Sequence, residues 1–475
     1  MLIFLGFLIA LFLGYKFYGS YIEKVFGPDE KRVTPAYQCR DNVDFMPLPK
    51  YKIFLIQFLN IAGLGPVYGT IFGAVYGPAC LWWILLGSIF GGAVHDYFSG
   101  MLSVRQNGES CIYVIEKQFG KYVKYFFLIF LVLLLVLVGA VFATGPATML
   151  AGMTPNINFL KNFSNTPSLT FWLTIIFLYY FLSTYLPIDK IIAKIYPFFG
   201  LTLILVTIGL GFSILQNGDT LYKLSLFKNL HPTSEPMFPI LFITIACGAI
   251  SGFHATQSPL MSRCLKNEKD GKQIFYGAMI TEAVVGLIWA CVGICFYKDT
   301  ASLQNVISVS GPNGVIKEIS SSYLGTIGGI FTVLSVVFLS ITSGDTAFRS
   351  ARITIADCFK INQKNKLNRL VLSSIVLGTG IYLSLININE LWKYFGWANQ
   401  TLAAIILWTT AVYLKVYNKN YFVALLPVLF MTTVCVSYLL YTKIGFNLNI
   451  GISISYALIV SALLGIIFFV RTSKK

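Results

Sequence analysis

The sequence predicts an all-α polytopic membrane protein with about thirteen transmembrane helices, and three observations carry that prediction. Of its 475 residues, 56% are hydrophobic and only 11% charged, with a mean hydropathy of +0.74, more apolar surface than a soluble core of this size hides. Apolar runs near the ~20 residues that cross ~30 Å of hydrocarbon recur along the whole chain. The basic residues fall into alternate interhelical loops.

The predicted spans are 2–18, 52–77, 80–104, 123–145, 168–187, 192–215, 237–262, 275–298, 323–348, 368–387, 394–414, 421–441 and 449–470. The first run lacks a basic segment before it and its lysines follow it, so it reads as a retained helix rather than a cleaved leader. When the segments after the odd-numbered spans are cytoplasmic, every Lys and Arg lies inside except Lys161, Lys223, Lys228, Lys298, Lys317, Lys393 and Lys443. The expected orientation is N-terminus out and C-terminus in, in the inner membrane. The net charge of +16 is spread among these loops instead of one soluble face, which argues against nucleic acid as a partner. The nine cysteines are scattered without metal-ligand spacing and read mostly as small apolar helix residues. No cofactor or metal is expected beyond a coupling ion.

Two spans carry helix-breaking residues at bilayer depth. The first is Asn60-Ile61-Ala62-Gly63-Leu64-Gly65-Pro66-Val67-Tyr68-Gly69, and the second runs from Cys247-Gly248 through Ser251-Gly252-Phe253-His254 to Ser258-Pro259. Loose backbone survives at that depth only when buried in protein or lining a wet cavity, so both are candidate binding-site walls. These spans are the second and seventh, and each opens a block of five, 52–215 and 237–414. An odd number of spans inverts the second block relative to the first, the layout of carriers with inverted repeats and discontinuous helices. Residues 1–51 then form an extra helix and cytoplasmic loop, and 415–475 two C-terminal helices with a basic tail.

Five ordered motifs resemble the carbon starvation protein A family: Gly63-Leu64-Gly65-Pro66; Gly91-Gly92-Ala93-Val94-His95-Asp96 with Ser103-Val104-Arg105; Ser251-Gly252-Phe253-His254-Ala255-Thr256-Gln257; Ser343-Gly344-Asp345-Thr346-Ala347-Phe348-Arg349-Ser350-Ala351-Arg352; and Tyr394-Phe395-Gly396-Trp397-Ala398-Asn399-Gln400-Thr401-Leu402-Ala403. The resemblance spans about residues 50–415. It implies a peptide or pyruvate uptake carrier of the amino acid–polyamine–organocation superfamily with a LeuT-like five-plus-five inverted repeat. It also implies that the helix bearing Asp345 and the first broken helix together hold a sodium ion or a substituting proton site.

Ionisable groups inside spans cost about 2.5–3.5 kcal/mol each on insertion scales and are functional suspects by default. The expected substrate-contacting set is Gly63, Gly65, Pro66, Gly69, Ser251, Gly252, His254, Thr256, Gln257, Asn399 and Gln400. Half-helix N-termini at Pro66 and near Ala255 suit a carboxylate, and pyruvate, an amino acid or a short peptide all carry one. The expected coupling set is His95, Asp96, Glu282, Thr342, Ser343, Asp345 and Thr346, with H⁺ or Na⁺ as the ion. Asp345 and Arg349, four apart, carry a second reading as a mutually neutralising structural pair, as does His95-Asp96 beside Arg105. Glu282 has no sequence-local partner and needs one from another helix.

An intramembrane hydrolase with Ser251 as nucleophile is the enzyme alternative. Its nucleophile elbow is missing, because Gly248 stands one position too far from Ser251, and no zinc-protease motif or phosphate loop is present. A channel is the third class; no filter motif or arginine-rich voltage helix supports it. An ion-coupled symporter, not an enzyme, is the expected function.

Overall fold

A computed structural model describes residues 2–41, 45–155, 157, 166–183, 189–217, 225–363 and 365–473, with the side chains of 189–197 and 357 outside the description. Among the described residues the longer helical segments are α1 (Leu2–Phe26), α2 (Lys50–Ile61), α3 (Leu64–Ala74), α4 (Ala79–Arg105), α5 (Cys111–Phe119), α6 (Lys121–Met153), α7 (Pro167–Ser183), α8 (Asp189–Asn217), α9 (Met237–Thr244), α10 (His254–Ser262), α11 (Glu268–Phe296), α12 (Thr300–Cys358), α13 (Lys366–Leu383), α14 (Ile388–Val416), α15 (Phe422–Tyr441) and α16 (Ile450–Thr472). Each of the thirteen expected spans overlaps one or more of these helices, with residues 184–187 of the fifth lying outside the described residues. Among the described residues, eight helices are long and apolar enough to cross a membrane unaided, and α2 with α3 makes a ninth span. The remaining expected spans lie on α7, which is shorter, on α9 and α10, which are split, and on α13 and α14, which carry more polar residues.

Both predicted interruptions are present. The first is tight: Ala62 and Gly63 leave the helix, and α3 departs from α2 at 48°. The second is longer, with residues 245–253 non-helical between α9 and α10. Gly248 there has φ +85°, a conformation a side chain would strain. Where the sequence suggested a loop over 299–322, the chain is instead helical. Gly311 and Gly325, at φ +63° and +70°, divide α12 into three pieces; the Ser- and Gly-rich composition there hid the helical periodicity.

The broken helices occupy the centre. α3 packs on α11, α10 on α4, and α6 runs against both α12 and α14. α1 and α16 are peripheral, each with only 22% of its apolar window buried, and they present Leu2, Phe12, Leu463 and Ile466 outward as a lipid-facing belt.

Candidate binding and coupling site

The two breaks touch each other. A Cβ on Gly65 would come within 2.4 Å of Cys247 Sγ, and one on Gly69 within 3.2 Å of the Thr244 carbonyl. Gly248 packs backbone to backbone on Pro66 and on Gly286 of α11. Cys247 fills the space beside Gly65 in this arrangement. Gly92 of α4 closes the other side, with the Ala249 carbonyl 2.2 Å from where its Cβ would stand. Gly252 is pressed on α14, its Cβ position 2.4 Å from the Asn399 carbonyl.

A break at bilayer depth must find partners for its backbone groups, and α14 supplies several of them. Asn399 is a staple across the second break: its Oδ1 accepts from the Phe253 N–H at 2.7 Å, and its Nδ2 donates to Ser251 Oγ at 3.0 Å and to the Ala246 carbonyl at 3.4 Å. Gln400 Nε2 donates to the Phe242 and Ile245 carbonyls at 3.2 and 3.3 Å, and Trp392 Nε1 to the Thr244 carbonyl at 3.1 Å. These are the orphan carbonyls at the C-terminus of α9. Asn399 and Gln400, expected near the substrate, thus hold the backbone that forms the break. Thr256 Oγ1 donates to the Phe253 carbonyl at 2.7 Å and accepts from Gln257 Nε2 at 2.9 Å.

Beside the breaks lies a fully buried ionisable cluster. His95 Nδ1 and His254 Nδ1 each stand 2.8 Å from a different oxygen of Asp96. When Asp96 is ionised it only accepts, and both Nδ1 atoms then donate to it. On its other side His254 Nε2 faces Glu282 Oε2 at 3.5 Å, and Glu282 Oε1 accepts from the Gly248 N–H at 3.2 Å. All four side chains have zero exposure. Three elements of the protein contribute: α4, the start of α10, and α11. Glu282 has found the cross-helix partner its position required, and His254, expected with the substrate contacts, sits among the coupling candidates. Arg105 does not join this group. It makes a two-point ion pair with Glu268 at 2.7 Å and also donates to the Gly27 carbonyl at 2.9 Å.

The other coupling candidates separate. Ser343 alone meets the first break, its Oγ 3.4 Å from the Cβ position of Gly63. The hydroxyls of Thr342 and Thr346 donate back to carbonyls of their own helix. Asp345 turns toward α7, where it accepts from Ser183 Oγ at 2.5 Å, and pairs with Arg349 at 3.1 Å. Ser251 Oγ engages Asn399 and Cys247, while both nitrogens of His254 face carboxylates, so no nucleophile–base pair forms between Ser251 and this histidine.

Two residues absent from the sequence-based set complete the picture. Gln57 of α2 is buried and donates to Ser258 Oγ of α10 at 3.4 Å, and its signal was an uncharged polar residue within a span. Tyr68 of α3 hydrogen-bonds Asn313 of α12, whose Nδ2 donates to the Gly145 carbonyl at 3.1 Å. Asn313 also lines a cavity of about 690 Å³ with Lys317, Ser310 and Thr148.

Facing broken helices, stapled by polar side chains at bilayer depth and abutting a buried ionisable cluster, define a secondary transporter. The comparisons agree. The fold is shared with Mhp1, a nucleobase-cation-symport-1 family transporter solved closed with bromovinylhydantoin bound (TM-score 0.52, 13% identity, 91% of this chain and 96% of that one). It is shared too with MhsT in complex with L-phenylalanine (TM-score 0.53, 15% identity, 88% and 98%). Both are LeuT-fold proteins with inverted repeats. The family profile described as Carbon starvation protein CstA matches residues 1–217, 147–324 and 309–438, and the chain belongs to that family. A Haemophilus influenzae membrane protein is 41% identical over 341 residues, 63% of this chain and 92% of its own length. The peptide transporter CstA of Helicobacter pylori is 28% identical over 89% of this chain and 79% of its own. The pyruvate/proton symporter BtsT of Escherichia coli is 28% identical over 64% of this chain and 52% of its own.

Proposed function

We propose that this transporter is a proton symporter for a small carboxylate-bearing nutrient, of the size of pyruvate or a short peptide, and that Asp96, His254 and Glu282 carry the coupled proton. The observation behind this reading is the contact of His254 with Asp96 at 2.8 Å and Glu282 at 3.5 Å inside a fully buried cluster. Two carboxylates and two imidazoles in hydrocarbon favour the protonation state nearest to neutral. His254 opens α10 and Glu282 is bonded to the backbone of the second break, so rearranging the break changes which groups are neighbours. A proton taken up on one side is then released on the other. The names of the relatives, a peptide transporter and a pyruvate/proton symporter, point to the same substrate and ion.

A carboxylate substrate would meet the N-terminal ends of α3 and α10, with Gly63, Gly65, Pro66, Gly69, Ser251, Gly252, Thr256 and Gln257 around it once the breaks part and the turn bonds of the His254, Ala255 and Thr256 N–H groups to residues 251–253 open. Sodium is the second reading, favoured by Ser343 Oγ beside Gly63. Uptake of pyruvate and of a small peptide panel into proteoliposomes separates the two. The proposal expects accumulation under an inward proton gradient with sodium absent; accumulation that requires a sodium gradient would move coupling to Ser343. Loop charge supports an inner-membrane protein with its N-terminus outside and its 349–369 segment inside. Labelling of a cysteine placed in 349–369 by an impermeant reagent in intact cells would reverse that orientation.

A further inference from the structure

Cys247, which the transport reading does not use, lies in the same cluster. We infer that Cys247 Sγ, His254 Nε2 and Glu282 Oε2 form a binding site for a borderline-soft divalent metal ion of the zinc class. The ligand atoms of these three residues lie within 4.8 Å of one another, and all three residues are buried. His254 Nε2 and Glu282 Oε2 are sealed from water and face each other at 3.5 Å, and the Cys247 thiol meets His254 on the same side.

The separation of those two atoms, 3.5 Å, matches the edge of a tetrahedron built on metal–ligand bonds of about 2.0–2.3 Å. The surroundings match as well. A metal-bound histidine ordinarily donates its other N–H to a carboxylate, which fixes the tautomer and leaves the remaining lone pair directed at the ion. His254 does this through Nδ1 to Asp96 at 2.8 Å. A ligating carboxylate is itself ordinarily held by a hydrogen bond, and Glu282 Oε1 accepts from the Gly248 N–H at 3.2 Å. Thiol, imidazole and carboxylate together select zinc-like ions over Na⁺, Mg²⁺ or Ca²⁺, which take oxygen ligands. Binding displaces the Cys247 thiol proton to solvent, leaving a thiolate on the metal. Three protein ligands leave a fourth position for water.

The site joins the second break to α11. A bound ion would tie His254 and Glu282 together and stop the break from rearranging, so zinc would inhibit transport. The inference needs only the geometry of this site, not proton coupling.

The test uses Co²⁺ as a spectroscopic stand-in for zinc, added to the purified full-length protein in detergent with Cys39→Ser removing the exposed thiol. No substrate or gradient is present, so the outcome is independent of the transport reading. One equivalent of Co²⁺ should bind with a near-ultraviolet thiolate-to-cobalt charge-transfer band, and equimolar Zn²⁺ should displace it. Cys247→Ser should abolish the band. Glu282→Gln should keep the band but weaken binding at least tenfold, which separates loss of a ligand from loss of folding. No band in the parent protein, or an undiminished band in Cys247→Ser, would overturn the site.

Discussion

His254 Nδ1 and Asp96 Oδ2 meet at 2.8 Å across 158 residues of sequence, joining α4 to the helix that leaves the second break. Groups in direct contact inside one network are energetically coupled. In a double-mutant cycle on thermal unfolding in detergent, Asp96→Asn and His254→Gln should be non-additive by about 0.5–3 kcal/mol. Additive effects would mean that the contact contributes nothing to the folded state.

The close approach of α4 to the second break predicts opposite behaviour for two neighbouring glycines. At Gly91 the nearest atom to an added Cβ is Ile250 Cδ1 at 3.4 Å, an ordinary contact, whereas at Gly92 it is the backbone oxygen of Ala249 at 2.2 Å. Gly91→Ala should express and transport normally. Gly92→Ala should destabilise by about 1–3 kcal/mol through overpacking and reduce uptake, as thermal denaturation and vesicle assays would record.

Asn399 predicts a graded series. Asn399→Ala strips the Phe253 N–H and the Ala246 carbonyl of a partner together, and each buried group left unpaired costs about 1–3 kcal/mol. Ser251→Ala leaves the bond from the Phe253 N–H to Asn399 in place. The melting temperature should fall clearly more for Asn399→Ala than for Ser251→Ala; the reverse order would show that the staple does not hold the break.

For Asp345 and Arg349 the ion pair and the Ser183 bond give a distinct expectation from that for the His254 cluster. Asp345→Asn should destabilise, because it removes the charge pair with Arg349. Adding Arg349→Gln should recover stability and retain proton-driven uptake. Failure of the double variant to accumulate substrate, despite normal folding, would return Asp345 to the coupling site.

Much of this architecture was legible in sequence because lipid makes strong demands: apolar runs of the right length marked the eight helices, and with the bent pair the ninth, that are long and apolar enough to cross a membrane among the described residues, and glycine and proline marked both breaks. The cluster was legible only as parts. His95, Asp96, His254 and Glu282 each stood out as costly residues in hydrocarbon, yet their pairing depends on how α4, α10 and α11 pack, which no local pattern encodes. Asp345 stands near Ser343 in sequence while the helix turns it toward Ser183, an orientation that local spacing does not encode. Cys247 looked like a small apolar residue until Gly65, His254 and Glu282 surrounded it. The helical pieces over 299–322 were hidden by glycines that serve as hinges between them.

The most direct test of the coupling assignment is uptake by Glu282→Gln in proteoliposomes, measured beside counterflow exchange with pyruvate and a small peptide panel. Glutamine keeps the shape and can still accept from the Gly248 N–H, but it cannot exchange a proton. The account predicts that this variant exchanges substrate across the membrane and fails to accumulate it under an inward proton gradient. Full proton-driven accumulation by Glu282→Gln would contradict the role of Glu282 in coupling.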